Sequence, residues 1–483
     1  MSSEESAAPS AAATPPSADG RHREFRRRLI GSVLVLGIAV GGFGFAGLVQ
    51  GPRLDTADLD VARATRLAGQ QLTLTLNQPV AEFDAAGVEV EPAASVTATS
   101  DDRDIVITFE QPLDYAAEYT VRVPGVVGAF QAAPAVVEHR FATPDEDVYA
   151  LHRRSHRGEA DLVQRSSFAE PQPEVVFSAP RIQDFARAGE VLVVATVDDA
   201  GRNELALSQD AQADPAEVPL PQGATIRDLA ASTTHALVGF VVDTPAVDGI
   251  REHEAALMML DLSGTAPAVP EPVLALDGTP MRVMSWVFVP GTTSLVVQDF
   301  EQGLYLVDAL GGRPPTPLGV HTEIRGFVAG TSDLLVADPD GGTVLDLEEG
   351  TTTALELQTP ELADNVYADH ISVLDGEGRY LVSLVQARVE AGRNVRSSML
   401  ATVGADGELA GLYAPASPTS HIRDHCTSPN GRWVAVAESP DDSRPDDYSG
   451  NPGFTETMTT IVEIETGRIA LSLQGGFSDW CVH

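Results

Sequence analysis

The sequence predicts a mainly β protein, and three observations lead to that expectation. Stretches in which apolar and polar residues alternate recur from about residue 53 to the chain end, as half-buried strands require. Glycine and proline are frequent, with 42 and 33 residues, which suits many short strands joined by turns. One uninterrupted apolar run, at 29–49, precedes all of these strands and predicts a single helix.

Composition limits the number of folded units and the class of partner. A chain of 483 residues exceeds one ordinary core, so two or three folded units are expected. The formal charge of −39 argues against nucleic acid as a partner, because its phosphates would be repelled.

The N-terminal segment predicts a membrane anchor. Residues 1–28 are rich in serine, alanine, proline and charge, so we expect a disordered cytoplasmic tail. Residues 29–49 carry no charge and, at about 1.5 Å per residue, can cross a hydrocarbon core of roughly 30 Å as a transmembrane helix. A cluster of arginines between 21 and 28 places the tail in the cytoplasm. We therefore expect a single-pass cell-membrane protein whose bulk is extracytoplasmic.

Two other interpretations of this segment stay open. Cleavage near Ala46 would release the body as a secreted protein. Arg27 and Arg28 would suit a twin-arginine export signal. All three interpretations place the folded body outside the cytoplasm.

Residues 53–144 predict a β-sandwich. Turn signals such as Pro124-Gly125 separate alternating segments, which lie at 71–76, 87–91, 104–109, 119–123 and 136–141. About seven short strands in roughly 90 residues favour two packed sheets. The segment resembles the Ig-like domain of bacterial S-layer and other surface proteins in LTLTLNQPV, VITFEQPLDYAAEYTVRV and HRFATP. That resemblance implies a spacer or an adhesive module.

Residues 146–483 carry a repeated strand–turn–strand element, and its fullest copy is IRDHCTSPNGRWVAV at 422–436. The copies begin near residues 182, 226, 283, 324, 369, 422 and 477. Their spacing of about 41 to 57 residues matches one four-stranded blade each. Three strands at 148–178 precede the first copy, and one strand at 477–483 ends the chain. Joining the two ends closes a ring of seven blades.

The repeated element resembles that of bacterial TolB-like and WD-repeat-like β-propellers. It lacks the Gly-His and Trp-Asp dipeptides of true WD repeats. The resemblance implies a seven-bladed β-propeller closed by the C-terminal strand. The expected fold class is therefore mainly β, with an N-terminal transmembrane helix, an Ig-like β-sandwich and this propeller.

The two cysteines occupy the same register in consecutive copies. Cys426 follows IRDH and Cys481 follows FSDW. In an exported protein a disulfide between them is expected, and it would join the last blade to the closing one. Two buried free thiols are the alternative, because equivalent positions in successive blades point the same way round the ring.

An acidic position recurs in four copies, at the expected mouth of the channel: Asp184, Asp228, Asp424 and Asp479. These carboxylates are candidates for holding a cation or a basic ligand. The alternative is that each accepts hydrogen bonds from a nearby turn or arginine. Further channel-mouth candidates are Arg227, Arg423, His425 and Trp480. Scattered histidines are interpreted as packed or surface residues, and no cofactor is predicted.

Catalytic motifs do not appear in the sequence, so no catalytic residue is predicted. There is no Gly-x-Ser-x-Gly elbow, and a chain without lysine cannot form a Gly-x-x-x-x-Gly-Lys loop. The acidic segment 438–453 lacks the spacing of a calcium loop and is interpreted as a solvated insertion. The predicted function is a membrane-anchored cell-envelope binding or scaffold protein that engages a protein, peptide or glycan. The alternative is a cell-wall glycan- or peptide-processing enzyme with its site in the central channel.

Overall fold

The computed structural model describes residues 51–129, 131–209, 214–264, 268–390 and 393–477, together with Gly31. Almost all regular elements are antiparallel β-strands. The first unit contains, in chain order, β1 (Leu54–Asp58), α1 (Val61–Ala64), β2 (Gln70–Leu76), β3 (Val80–Glu82), a 3₁₀ turn (Ala85–Gly87), β4 (Glu89–Glu91), β5 (Val96–Asp101), β6 (Asp104–Phe109), β7 (Glu118–Gly128) and β8 (Gln131–Ala142).

The predicted fold class is wrong in its N-terminal transmembrane helix. No helix in the described residues is long and apolar enough to cross a membrane. Crossing takes about 20 apolar helical residues, whereas α1 has 4. The predicted tail at 1–28 and the predicted span at 29–49 lie outside the described residues, apart from Gly31.

The first unit consists of two sheets packed face to face. One sheet has the order β1-β2-β6-β5, and in the other β3, β4 and β8 all pair with β7. The period-two alternation turns one side of each strand inward, so Leu72, Leu74, Ile105, Ile107 and Val121 are fully buried in one shared core. The unit is a β-sandwich, and its likeness to Ig-like domains stays a prediction.

The second unit consists of consecutive sheets, numbered here as blades 1 to 7. Blade 1 contains β9 (Asp147–His152), a 3₁₀ turn (Ser155–Arg157), β10 (Asp161–Ser167) and β11 (Glu174–Ala179). Blade 2 contains β12 (Ile182–Ala188), β13 (Val191–Val197), β14 (Asn203–Ser208) and β15 (Ala216–Val218). Blade 3 contains β16 (Thr225–Ala231), β17 (Leu237–Asp243), β18 (Ala256–Asp261) and β19 (Glu271–Pro272).

The remaining blades follow the same plan. Blade 4 contains β20 (Ser285–Phe288), β21 (Ser294–Gln298), β22 (Gly303–Asp308) and β23 (Thr316–Val320). Blade 5 contains β24 (Glu323–Phe327), β25 (Asp333–Asp338), β26 (Gly341–Asp346) and β27 (Thr352–Leu355). Blade 6 contains β28 (Val366–Val373), β29 (Tyr380–Glu390), β30 (Arg393–Val403) and β31 (Leu409–Tyr413). Blade 7 contains β32 (Ser420–Thr427), β33 (Trp433–Pro440), β34 (Met458–Glu463) and β35 (Ile469–Gln474).

The blades form a β-propeller. In blades 2 to 7 the four strands pair in chain order. First strands of neighbouring blades contact each other, as β12 does with β16, β16 with β20, and β28 with β32, so the first strands surround the central axis. The repeat starts predicted near 182, 226, 324, 369 and 422 fall within first strands, and the one near 283 lies two residues before β20.

The chain end enters blade 1 at its innermost position. Blade 1 has the order β11-β10-β9, which leaves the inner edge of β9 for another strand. Gly476 pairs antiparallel with Leu151 at that edge. The Leu151 amide donates to the Gly476 carbonyl at 2.9 Å, and the Gly476 amide donates back at 3.1 Å. Residues 478–483 lie outside the described residues.

The sandwich covers one face of the ring. We call this the lower face, defined by the turns that join first and second strands, such as 428–432 in blade 7. The Ala68 amide donates to the Gly330 carbonyl of blade 5 at 2.8 Å. Arg432 of blade 7 pairs with Asp114 at 2.7 Å. The opposite, upper face carries the starts of the first strands and the turns between second and third strands.

Clusters of buried apolar residues hold neighbouring blades together. They join blades 1 and 2, 2 and 3, 3 and 4, 4 and 5, 6 and 7, and 7 and 1. The buried cluster around Val382 and Leu384 of blade 6 packs instead against Leu357 and Leu362 of the connector that follows β27. In the described part of the chain no such cluster joins blade 5 to blade 6.

Candidate functional site

The inner strands bulge toward the upper face at the recurring acidic position. The strand register shifts between Ile182 and Asp184 in β12 and between Ile422 and Asp424 in β32. In β16 the shift follows Arg227, and Asp228 adopts a φ of 54°. A bulge leaves an extra residue unpaired and redirects its neighbours, which is how the repeat places these side chains near the axis.

Asp184 is the most buried of the recurring aspartates. It is 8% exposed, and its carboxylate accepts from the Phe185 amide at 2.9 Å. Burial raises the pKa of Asp184 to about 7, against the lowering effects of the Phe185 amide and Arg153. The charge of Asp228 in blade 3 also raises this pKa, as the smallest of the causes.

Asp424 lies with two histidines in another part of the mouth. The His370 ring packs edge-on against the His425 ring at 4.8 Å, and His370 Nε2 is 4.0 Å from Asp424 Oδ1. His425 is only 2% exposed, and burial, aided by the charge of His370, lowers its pKa to about 3. His425 is therefore neutral at physiological pH.

The predicted arginines hold the strands in place. Arg227 pairs with Asp228 and donates to the Val283 carbonyl of the next blade at 3.2 Å. Arg423 donates to Ser439 at 2.6 Å and lies over the Phe454 ring at 4.2 Å. Both arginines therefore already have partners within the chain. Asp479 and Trp480 lie outside the described residues.

The recurring aspartates do not assemble into one metal centre among the described residues. The charge of Asp228 acts weakly on Asp184, whereas Asp424 lies with His370 and His425. No group of three or more histidine, cysteine or acidic side chains in the described part could hold a metal ion. Each of the three described aspartates has a local partner: Asp184 accepts from the Phe185 amide, Asp424 accepts from the His425 amide, and Asp228 pairs with Arg227.

Cys426 lies on the inner strand β32, opposite Ala435 of β33. It packs against the buried cluster between blades 7 and 1. No cysteine in the described residues is a free thiol. Because Cys481 lies outside those residues, its pairing with Cys426 stays a prediction.

The sequence interpretation missed the role of the acidic insertion between β33 and β34, residues 441–457, which we call the upper loop. Its central part is not solvated: Tyr448 is 2% exposed, and the Asp446 side chain is 5% exposed. Asp446 forms a buried ion pair with Arg153 of blade 1. Arg153 also donates to the Asn451 carbonyl at 2.8 Å and lies over the Tyr448 ring at 4.1 Å.

Further contacts fasten the upper loop to blades 1 and 2. The Tyr448 hydroxyl donates to Asp161, which also accepts from the Ile182 amide at 2.9 Å. Gly450 lies so close to Gln183 that a Cβ there would collide with the Gln183 side chain. The sequence contains a basic segment at 152–157 and an acidic segment in the upper loop, and their opposite charges could have indicated that they pair. That prediction would have required knowing that blades 7 and 1 are neighbours.

An open pocket of about 570 Å³ lies between the upper loop and blade 1. The charged residues that line it already have partners: Arg181 pairs with Asp447 at 3.1 Å, Arg153 with Asp446, and Glu159 with Arg154. The lining residues include Arg153, Ser155, Arg181, Asp446 and Tyr448. The volume is within the range that binds small molecules or peptide side chains.

Comparisons with known proteins give no family for this chain. No family model matches it, and no curated protein matches it. One similar solved structure is the dihydro-heme d1 dehydrogenase NirN in complex with DHE, with 14% identity and a TM-score of 0.39, covering 68% of this chain and 74% of that chain. Another is a protein described as a TolB from Agrobacterium tumefaciens, with 12% identity and a TM-score of 0.30, covering 69% of this chain and 91% of that chain. The assignment as a propeller rests on the sheet topology of the chain itself.

Proposed function

We propose that this protein is a binding or scaffold module of the cell envelope whose propeller engages a protein, peptide or glycan through its upper face. One observation carries the proposal: among the described residues the sandwich packs only against the lower face, and the upper face carries chemically varied exposed groups. The upper face combines the 570 Å³ pocket with the carboxylates of Asp228 and Asp424. It also exposes large apolar side chains, among them Phe300 at 55% and Tyr367 at 58%. Exposed apolar groups beside polar ones are typical of interaction surfaces.

Site-specific photo-crosslinking in cells that make the full chain tests this proposal. The crosslinking amino acid replaces Phe300 or Tyr367 on the upper face. The matched controls replace Val175 or Ile469, which are exposed near the lower ends of the outermost strands of blades 1 and 7. We expect defined crosslinked products from the upper face only. Equal products from both sets, or products from the controls alone, would contradict the proposal.

A second function, an enzyme with its site at the channel mouth, is favoured by one observation. Asp184 is a buried carboxylate with a pKa of about 7 and lies within the influence of Asp228. Such pairs are typical of general acid–base sites. The test incubates the purified full chain with cell-wall glycan and peptide fragments. Turnover that the Asp184→Asn variant loses while staying folded would support the enzyme and count against a purely binding role.

We propose that the described part of the chain acts outside the cytoplasm. The order of residues at the N-terminus supports this location, since a basic segment at 21–28 followed by an uncharged run at 29–49 is typical of an export signal. This location is tested by adding protease to whole cells whose outer permeability barrier has been opened. We expect the propeller to be digested while a cytoplasmic marker protein survives. Survival of both proteins would contradict the proposed location.

A further inference from the structure

Two arginines of the pocket between the upper loop and blade 1 lie over one aromatic ring, but their ion pairs differ in exposure. Arg153 is 4.1 Å and Arg181 is 4.8 Å from the centre of the Tyr448 ring. The pair of Arg153 with Asp446 is buried, because the two side chains are 3% and 5% exposed. The pair of Arg181 with Asp447 lies in the pocket wall, and these side chains are 31% and 73% exposed. Only the second pair is open to exchange with a ligand.

Arg181 is held in a geometry that suits a carboxylate. Its backbone carbonyl accepts from the Val197 amide at 3.2 Å, which fixes the chain just before β12. Packing over the Tyr448 ring restricts the guanidinium. Both terminal nitrogens of Arg181 face Asp447, and each lies 3.1 Å from one carboxylate oxygen. A planar guanidinium placed in this way recognises a carboxylate through two contacts at once.

Asp447 is bound to Arg181 only weakly. Solvent screens a pair this exposed, and such pairs contribute little to stability. Arg181 is the only partner of the Asp447 carboxylate among the described residues, so this side chain can turn into water without a change of the backbone. Asp446 and Tyr448 on either side of it are buried and keep the loop in place. An incoming carboxylate can therefore replace that of Asp447.

The size and lining of the pocket favour the end of a chain as the ligand. A volume of about 570 Å³ suits a small group better than the side of a long polymer. Ala160, Pro180 and Pro445 line the pocket with compact apolar groups, against which a side chain can pack. The end of a peptide that carries a carboxylate is its C-terminus. A glycan with many carboxylates is disfavoured, because the net charge of −39 repels it.

We propose that the pocket between the upper loop and blade 1 binds the C-terminus of a partner peptide, whose carboxylate takes the place of Asp447 on Arg181. This inference rests on the proposed binding function and names the partner chemistry for one part of the upper face. The last side chain of the peptide packs against the apolar lining, and the released Asp447 carboxylate turns into solvent. Arg153 keeps its buried pair with Asp446 throughout, so the upper loop stays in place.

Fluorescence anisotropy on the purified full chain tests the proposal with N-terminally labelled pentapeptides that differ in their last residue. Each peptide is made with a free C-terminal carboxylate and, as its control, with an amidated C-terminus. We expect at least one free-acid peptide to bind, and its amide to bind about tenfold or more weakly. If no free-acid peptide binds, or if the amides bind equally well, the proposal is overturned. Displacement of the peptide by an equal concentration of glucuronic acid oligomers would also overturn it, because a glycan would then be an equally good occupant.

Variants of the two paired residues should change the affinity in opposite directions. Arg181→Gln should weaken binding of the free-acid peptide by about tenfold or more, because the two-contact recognition of the carboxylate is lost. Asp447→Asn should strengthen binding by up to about fivefold, because it removes the competing carboxylate. A purely structural role of the pair would lower the affinity in both variants. Such a parallel loss, or no change in either variant, would overturn the proposal.

A matched control pair lies on the sandwich, where Arg122 Nε and Glu138 Oε2 are 3.1 Å apart and both side chains are partly exposed. Arg122→Gln and Glu138→Gln should leave the affinity unchanged. Changes as large as those of the pocket variants would show attraction by overall charge and would overturn the proposal. Asp447 is exposed, so its variant keeps the fold even if Arg181→Gln loosens the upper loop, and the rise in affinity then decides.

The outcomes separate this inference from the proposed function. If no free-acid peptide binds, the pocket proposal fails, and upper-face crosslinks at Phe300 would still support the binding function. If those crosslinks are missing and the peptide binds with the expected sensitivity to both pocket variants, the pocket proposal stands and the wider upper-face proposal fails.

Discussion

The aspartates at equivalent positions of the repeat have similar neighbouring residues but very different burial. Asp184, Asp228 and Asp424 each lie two residues after an isoleucine. Asp184 is 8% exposed, while the side chains of Asp228 and Asp424 are 47% and 68% exposed. Asn451 of the upper loop hydrogen-bonds to the Asp184 carboxylate, whereas the side chains of Asp228 and Asp424 stay largely exposed. The repeat predicted where the side chains lie, but not which of them is desolvated.

The burial of Asp184 predicts a pH-dependent stability. With its pKa raised to about 7, folded Asp184 keeps its proton between about pH 4 and pH 7, whereas the unfolded chain loses it. The folded state binds more protons in that range, so this residue lowers the free energy of unfolding as pH rises. Asp184→Asn removes the effect and should raise stability at about pH 8 by up to about 4 kcal/mol, with little change at about pH 4.

Calorimetric unfolding at both pH values checks this prediction. Asp55→Asn, on an exposed sandwich strand, is the matched control and should leave the difference between the two pH values unchanged. An Asp184→Asn variant whose Tm tracks the wild type at both pH values would show that the carboxylate ionises normally in the fold.

The upper loop is the element that sequence reasoning interpreted least well. Its acidic composition suggested a solvated insertion, and the structure instead buries Asp446 and Tyr448 against blade 1. The reason is that Arg153 offers a charge partner from the other end of the chain. A buried charge is tolerated only when it is paired, so neither segment alone reveals its burial.

Breaking the buried pair should destabilise the propeller strongly. Asp446→Ala leaves the Arg153 guanidinium, whose side chain is 3% exposed, without its counter-charge. We expect a loss of about 3–5 kcal/mol in the free energy of unfolding, measured by urea titration. The double variant Arg153→Met with Asp446→Leu should recover most of this loss, because it removes both charges together.

The neighbouring pair provides the control. Arg181 and Asp447 are 31% and 73% exposed at their side chains, so solvent screens their attraction. Asp447→Ala should therefore change stability by less than about 1 kcal/mol. Similar losses in Asp446→Ala and Asp447→Ala would mean that the pair with Arg153 is not buried in solution.

Closure of the ring can be tested through the cysteines. A disulfide between Cys426 and Cys481 would enclose about 55 residues and stabilise the fold by about 4 kcal/mol in the chain-entropy model. We expect peptide mapping without reductant to find the two cysteines linked, and reductant to lower the Tm. Alkylation of both thiols in the native protein would remove this prediction and leave the upper loop and the pairing of Gly476 as the closing contacts.

The seam between blades 5 and 6 should be the first part of the ring to open. Amides of β28 should exchange with deuterium faster than those of β32, because β28 has no shared apolar cluster with the preceding blade. Hydrogen exchange followed by mass spectrometry measures this difference. Faster exchange in β32 would instead locate the weak seam between blades 6 and 7, and faster exchange in β9 would locate it at the closure between blades 7 and 1.

The sequence by itself determined the mainly β character, the sandwich followed by repeated hairpins, and the strands that line the axis. These features follow from local alternation, turn residues and a fixed repeat length, which act over a few residues at a time. The tertiary structure alone decided the covered lower face, the buried upper loop and the packing of blade 6 against the connector instead of against blade 5. Each of these depends on which distant segments meet, because burial and charge pairing are properties of contacts and not of single residues.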